Sequence, residues 1–443
     1  MRKYSLISIA MLIVSIPTFA GGLLTNTNQH AAFLRMLSRG ATTEIDGALS
    51  NPAGLAFLPQ NGFYAGLSIQ SAFQTRNIDA SCEGLGLNKY YEGKAAAPII
   101  PSLFAAYKSG DWTLSGFFAI TAGGGKASFD DGLPMFDAMV IGGLASQKIP
   151  SKAYSLKSYM DGKQYIYSVQ LGLTYKITDW FSAFAGGRMN YFTGGYKGSL
   201  NASSATVLPS PAGGTIPVGT ELIGIDLDCS QTGWGFTPVI GLDAKLGKLN
   251  IGAKYEFKAN LNIENNTKAN SLRMIGAPES ELEDYKHGVN TPNDIPSMLS
   301  VAAAYEFLPV LRASVEYHFY DDKSAGMAGD KQKYLTKGTN EYLMGIEWDV
   351  LKRLTLSCGG QITDYGLSDN YQSDTSFSCD SYTLGVGAKV VLSERANLNV
   401  GYMWTNYEDY TKTSKNYNGT GLPGTNVYSR TNKVFGVSLD YRF

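Results

Sequence analysis

Few residues in this chain carry reactive chemistry. There are three histidines, His30, His287 and His318. Imidazoles do acid–base or metal work when they converge with carboxylates or thiols, and these three fall in different segments. His318 stands two residues from Glu316 in an alternating stretch and reads as a wetted wall residue. No Gly-x-Ser-x-Gly elbow, phosphate-cradling glycine loop or His-x-x-x-His pair occurs. The four cysteines, Cys82, Cys229, Cys358 and Cys379, lack metal-ligand spacing. An oxidising compartment would permit disulfides in any of three connectivities, and Cys82 and Cys229 both fall near long connections that a staple could join. No catalytic residue, metal or cofactor is expected.

The chemistry on offer is instead apolar capture. The connection at 199–229 holds Val207, Leu208, Ile216, Val218, Leu222, Ile223 and Ile225, and that at 264–294 holds Leu272, Met274, Ile275 and Leu282. Exposed apolar loops are a liability unless they meet each other or a ligand. Burying an alkyl chain contributes about 0.8 kcal/mol per methylene, so a groove of such residues suffices to hold a lipid. A second feature is Gly123-Gly124-Gly125, which cannot hold a regular ladder and marks a bulge or bend.

The elements that must position these groups follow from charge and period. The chain has 37 basic and 38 acidic residues and only 17 % charged residues, against roughly 25 % in soluble domains. This excludes a basic nucleic-acid surface. Arg2 and Lys3, the apolar run Leu6–Ile16 and Thr18-Phe19-Ala20 read as a signal peptide over residues 1–20, its run of about 11 residues being too short to span a bilayer. Beyond it, long stretches alternate with period two. Phe435, Val437, Leu439, Tyr441 and Phe443 face one way against Val434, Gly436, Ser438, Asp440 and Arg442; Leu311, Ala313, Val315, Tyr317 and Phe319 face away from Arg312, Ser314, Glu316 and His318. Runs of this length with aromatic ends suit bilayer-facing strands better than the shorter strands of a soluble sandwich.

About fourteen such segments lie between 62–77 and 429–443, joined by alternating short turns and long loops, which predicts an all-β transmembrane antiparallel barrel over 62–443. The 28 tyrosines are expected largely at lipid-facing and interfacial positions. A lumen of this size leaks unless closed. Residues 21–61 do not alternate; Ala31–Leu37 reads as a short helix stopped by Gly40, and Asn51-Pro52-Ala53-Gly54 as a turn. They are expected to plug the lumen. The terminal Phe443 on an alternating strand suits reading by the barrel assembly machinery. The partners expected are a hydrophobic small molecule and outer-membrane lipid, in the outer membrane of a Gram-negative cell.

Arg39-Gly40-Ala41, Asp46-Gly47-Ala48 and above all Asn51-Pro52-Ala53 resemble the N-terminal hatch of the FadL-type long-chain fatty-acid transporters, a family that includes aromatic-hydrocarbon importers. Gly233-Trp234-Gly235-Phe236, Gly241-Leu242 with Tyr255, and Ile295-Pro296 with Tyr305 extend the resemblance along the chain. It implies a fourteen-stranded barrel plugged by the hatch and passive movement of a hydrophobic ligand. The ligand would be captured between outer loops, here at Val207, Leu208, Ile216, Leu222, Leu272, Met274 and Ile275. It would leave sideways into the bilayer at a kink of the third strand, here Gly123, Gly124 and Gly125. Family carboxylate ligands meet basic residues, for which Lys197 and Lys337 stand in suitable places. Two other classes remain: a barrel enzyme of the lipase or protease type, which needs a Ser/His/acid set at the outer rim, and a surface adhesin.

Overall fold

A computed structural model of the chain describes residues 24–210 and 213–443. The signal-peptide reading and the first three residues of the expected hatch lie outside these. Alternation of apolar and small or polar residues builds fourteen antiparallel wall strands. They are β1 Gly62–Cys82, β2 Leu87–Ser109, β3 Trp112–Phe129, β4 Tyr154–Lys176, β5 Phe181–Ser204, β6 Glu221–Leu246 and β7 Leu249–Glu256, the last resuming as Asn262–Met274 after an inward bulge. Then follow β8 Met298–Leu308, β9 Leu311–Tyr320, β10 Thr339–Leu351, β11 Leu354–Asp364, β12 Ser381–Ser393, β13 Ala396–Tyr407 and β14 Gly424–Arg442. β14 pairs back onto β1 from Tyr64↔Arg442 to Ser81↔Thr425. Closure of β14 on β1 leaves no free edge strand, so the wall satisfies its backbone strand to strand.

The outer face carries Leu67, Ile69, Leu103, Leu171, Val315 and Ile346 in the open. Aromatic rings gather near the short turns, Trp112 against Tyr175 at 4.4 Å and Phe63 against Phe443 at 5.2 Å between centroids. This is the girdle a bilayer-facing wall needs.

Residues 24–61 occupy the lumen. Helix α1, Ala31–Arg35, is buried at every position and capped by His30, whose ring accepts the Ala32 N–H. It fits because the wall opposite it is glycine: a Cβ at Gly385, Gly401 or Gly436 would come within 2.5, 2.7 or 2.6 Å of Leu34. Arg39 folds the next turn onto Asp46 at 2.7 Å, ahead of α2, Gly47–Ser50. Asn51 then donates to the Thr42 carbonyl at 2.9 Å and to wall Asp243 at 2.5 Å, while its Oδ1 accepts the Gly54 N–H. Wall side chains Gln170, Thr174, Ser182 and Lys254 donate to the Ala48, Pro52, Ala53 and Leu49 carbonyls. The hatch thus satisfies its backbone with the polar inner face.

The long connections differ from expectation. Residues 78–97 continue the β1–β2 ladder to Cys82↔Leu87, and the two ends of 199–229 continue β5–β6 to Ser203↔Glu221. Only 123–162 holds a long helix among the described residues, α3, Pro134–Ser146. The strands run on because their inner faces still have a core to fill: Ile78, Tyr91, Leu133, Leu144, Leu200 and Leu272 pack there above the bilayer zone. That core also corrects the tyrosine reading. Tyr90, Tyr107, Tyr175, Tyr342 and Tyr382 are lipid-side, but Tyr91, Tyr196, Tyr285, Tyr371, Tyr417 and Tyr428 are buried inside. All four cysteines are free thiols. Cys82 sits at the β1 tip against the Pro423 carbonyl and Cys229 lies in β6 against Thr267, so no staple joins them.

Candidate functional site

A cavity of about 580 Å³ opens in the upper lobe. One wall is apolar: Met135, Phe136 and Met139 of α3, Met160 of β4, Leu200 of β5 and Ile225 of β6. Pro134 starts α3, where a missing N–H costs nothing. The helix is then pinned from two sides. Asp374 accepts the Met135 N–H at 2.8 Å, and Asp137 accepts from Tyr91 Oη at 2.7 Å and Lys89 Nζ at 3.0 Å.

The opposite end of the cavity is cationic. Lys331 and Lys412 both line it. Lys331 is buried, donates to the Ser376 carbonyl at 2.9 Å and lies 4.6 Å from the Tyr371 ring centroid. Burial, followed by the charges of Lys412 and Arg76, holds its pKa well below the lysine range. Lys412 donates to the Gln372 carbonyl at 2.7 Å and is likewise lowered by burial. Asp374 is occupied by Tyr428, Asn426 and the α3 N-terminus, and burial raises its pKa. Two lysine side chains that donate to carbonyls at the end of an apolar wall suit an amphiphile with an anionic end, which favours their protonated forms. The wall supplies affinity and the cations orientation.

Of the apolar loop residues expected to capture a ligand, Ile225 and Leu282 line this cavity and the others do not. Leu208, Ile216, Leu222, Leu272 and Met274 are buried in the upper core, with Ile275 packed against it, and none lines the cavity. Val207 is 60 % exposed at the outer tip. Lys197 and Lys337, with side chains 62 % and 50 % exposed, pair with Asp228 and Asp364 outside the cavity. Sequence reasoning missed Lys331 and Tyr371, which lie in polar loops without periodicity, and Lys412, on the short strand Tyr410–Ser414 that pairs with β14. It also passed over α3, whose signal is plain: a proline followed by an apolar run.

Below this cavity the lumen narrows to an apolar collar. The bulge after β7 turns Ala259, Leu261 and Ile263 inward, where they pack with Phe192, Ile166 and Ala122, and the first hatch side chain, Leu24, joins them. Ala122 belongs to the segment where β3 departs from regular pairing. The β2–β3 ladder stops at Ala96↔Lys126 and resumes at Ser102↔Ala119, and the β3–β4 register shifts on both sides of Ala122. Pro98 and Pro101 of β2 have no N–H to offer. Gly123 and Gly125 take φ of 111° and 80°. A Cβ at Gly123 would overlap the Gln164 carbonyl, and one at Gly125 would lie 2.6 Å from that of Ala96. Across the break, Thr121 lines a smaller cavity beside the hatch, while Ile99 faces outward with 70 % exposure.

The outer membrane protein beta-barrel domain family matches residues 275–443. A search of curated proteins finds no match. Among solved structures, a Pseudomonas aeruginosa FadL homologue superposes with a TM-score of 0.69 at 15 % identity, covering 96 % of this chain and 100 % of its own. The toluene transporter TodX of P. putida gives 0.57 at 14 % identity, over 91 % and 95 % of the two chains. The toluene transporter TbuX of Ralstonia pickettii gives 0.53 at 14 %, over 90 % and 93 %. At such identities the likeness is one of fold. The chain has the fold of a FadL-type outer-membrane barrel, fourteen strands closed by an N-terminal hatch.

Proposed function

We propose that the protein is a passive transporter of hydrophobic compounds across the outer membrane of a Gram-negative cell, with long-chain fatty acids as the leading substrate class. The observation that carries this reading is the 580 Å³ cavity whose apolar wall ends at Lys331 and Lys412. The FadL homologue and the toluene transporters that share its fold support a hydrophobic cargo; the paired cations favour one with a carboxylate. A ligand leaving the upper cavity meets the apolar collar, and at Ala122 it reaches the β3 break. With the hatch below it, the easier way out is sideways into the bilayer. No energy source is required, because the chain of the ligand passes from the apolar wall to the collar and then to the bilayer, its most favourable surroundings.

The route is tested by Gly123→Val in a strain lacking its own fatty-acid uptake barrel. A β-branched residue at that φ, against the Gln164 carbonyl, costs on the order of 1–3 kcal/mol and must shift the break. Uptake of labelled oleate is expected to fall severalfold while binding to the purified protein stays unchanged. Uptake at the wild-type rate would remove the break from the route.

A further inference from the structure

The hatch meets the wall at a carboxylate–imidazole–carboxylate cluster. β9 carries Glu316 and His318 on its inner face, and β10 brings Glu341 into register beside His318. His318 Nε2 lies 2.6 Å from Glu316 Oε1, and Nδ1 lies 3.0 Å from Glu341 Oε2. An ionised carboxylate only accepts hydrogen bonds, so both ring nitrogens donate. The remaining oxygens of the two carboxylates reach the hatch backbone. Glu316 Oε2 accepts the N–H groups of Arg39 and Gly40, each at 2.7 Å, and Glu341 Oε1 accepts the Asn26 N–H at 3.0 Å. Only glycine fits at position 40, because a Cβ there would lie 2.5 Å from Glu316 Oε1 and 2.8 Å from the Ala302 Cβ. The cluster is not a wetted wall: the His318 side chain is 14 % exposed and those of Glu316 and Glu341 less still.

The same three side chains border the smaller cavity of about 80 Å³, which extends to Thr121 at the β3 break. The cluster therefore touches both the plug and the space beside the break.

We propose that His318 is the positioning residue of a hatch latch. It holds Glu316 and Glu341 together as ionised acceptors, and they hold the hatch at Asn26 and at the Arg39–Gly40 turn. Without the imidazole, two confined carboxylates face each other, and such a pair keeps one proton or moves apart. Either change removes an acceptor from the hatch backbone while leaving the ladders of the wall intact. The latch rests on residues 24–61 acting as a movable plug, whatever ligand passes.

The test compares full-length wild type, His318→Leu and Glu316→Gln, reconstituted in planar bilayers and followed by hydrogen exchange. Asp322→Asn is the control, a buried carboxylate that serves Thr339 and not the hatch. For both latch variants, amides of the hatch peptide around Arg39–Gly40 are expected to exchange about tenfold faster or more. Ion-conducting steps should appear, with wall amides still protected. Glu316→Gln keeps one acceptor oxygen and carries the test if His318→Leu fails to assemble. Wild-type exchange and conductance in the latch variants would overturn the proposal, as would equal opening by Asp322→Asn. Oleate uptake, measured on the same proteins, tests the transport reading separately.

Discussion

Deleting residues 21–61 is expected to turn a closed barrel into an open pore. The hatch lies across the lumen between the collar and the short turns, and its main chain is bonded to wall side chains around the circumference, from Gln170 and Ser182 to Glu316 and Ser68. Barrels with more strands than they can fill with side chains conduct unless something blocks them. The groups that the deletion exposes, among them Asp243, Glu316 and Glu347, are polar wall residues that water can solvate, so the wall should still close on itself through β1 and β14. Conductance in planar bilayers and the swelling of liposomes in small sugars should both rise by ~10-fold or more over the intact protein. A deletion variant that folds, migrates as a compact barrel in unheated gels and conducts no better than wild type would show that the hatch is not the barrier.

The second large effect concerns the cations. Replacing Lys331 and Lys412 together by methionine keeps the apolar wall and removes its charged end. Hydrogen bonds to charged groups contribute about 1.5–3 kcal/mol each, so losing two should lower affinity for a long-chain carboxylate by about 100-fold or more. A neutral alcohol of the same chain length should lose little, since its affinity comes from methylene burial. Equal weakening of both ligands would contradict the assignment. The pH dependence has a definite sign. A bound carboxylate favours protonated Lys331, so the bound-state pKa lies above that of the free site. Affinity is full below the free-site pKa and declines as pH rises through it. Because burial lowers that pKa, the decline should begin below the ordinary lysine value of 10.5. Lys331→Arg, charged throughout this range, should remove the part of the decline that Lys331 carries and leave that of Lys412.

The wall is legible in the sequence because its physics is periodic. The face that meets lipid must be apolar at every second residue, and Leu311–Phe319 or Phe435–Phe443 state this without help from elsewhere. The hatch is legible through its failure to alternate and through Asn51, whose side chain closes a local turn on Gly54. What escapes depends on which distant residues the closed barrel brings together. Lys331 sits in a polar loop whose sequence carries no period, and Lys412 on the short strand Tyr410–Ser414 that pairs with β14; only the folding of both segments over the lumen brings them to the cavity of Met135 and Leu200. The apolar character of Leu222, Leu272 and Met274 is plain, but apolarity alone does not separate a ligand groove from a packed core, and the extension of β5, β6 and the resumed β7 above the turns made them core. His318 was assignable to the inner face by alternation. Its partnership with Glu341 needed the β9–β10 register, which no local pattern reveals.

The central claim is that the upper cavity holds one amphiphilic hydrophobic molecule by its chain and its anionic end. Native mass spectrometry of the purified protein, incubated with oleate and then exchanged into a detergent that releases readily in the gas phase, tests it most directly. The account predicts a barrel carrying one oleate, displaced by a longer saturated acid and lost from the Lys331→Met, Lys412→Met variant. A barrel that stays free of fatty acid at saturating oleate, or that binds it equally well without the two lysines, would contradict it.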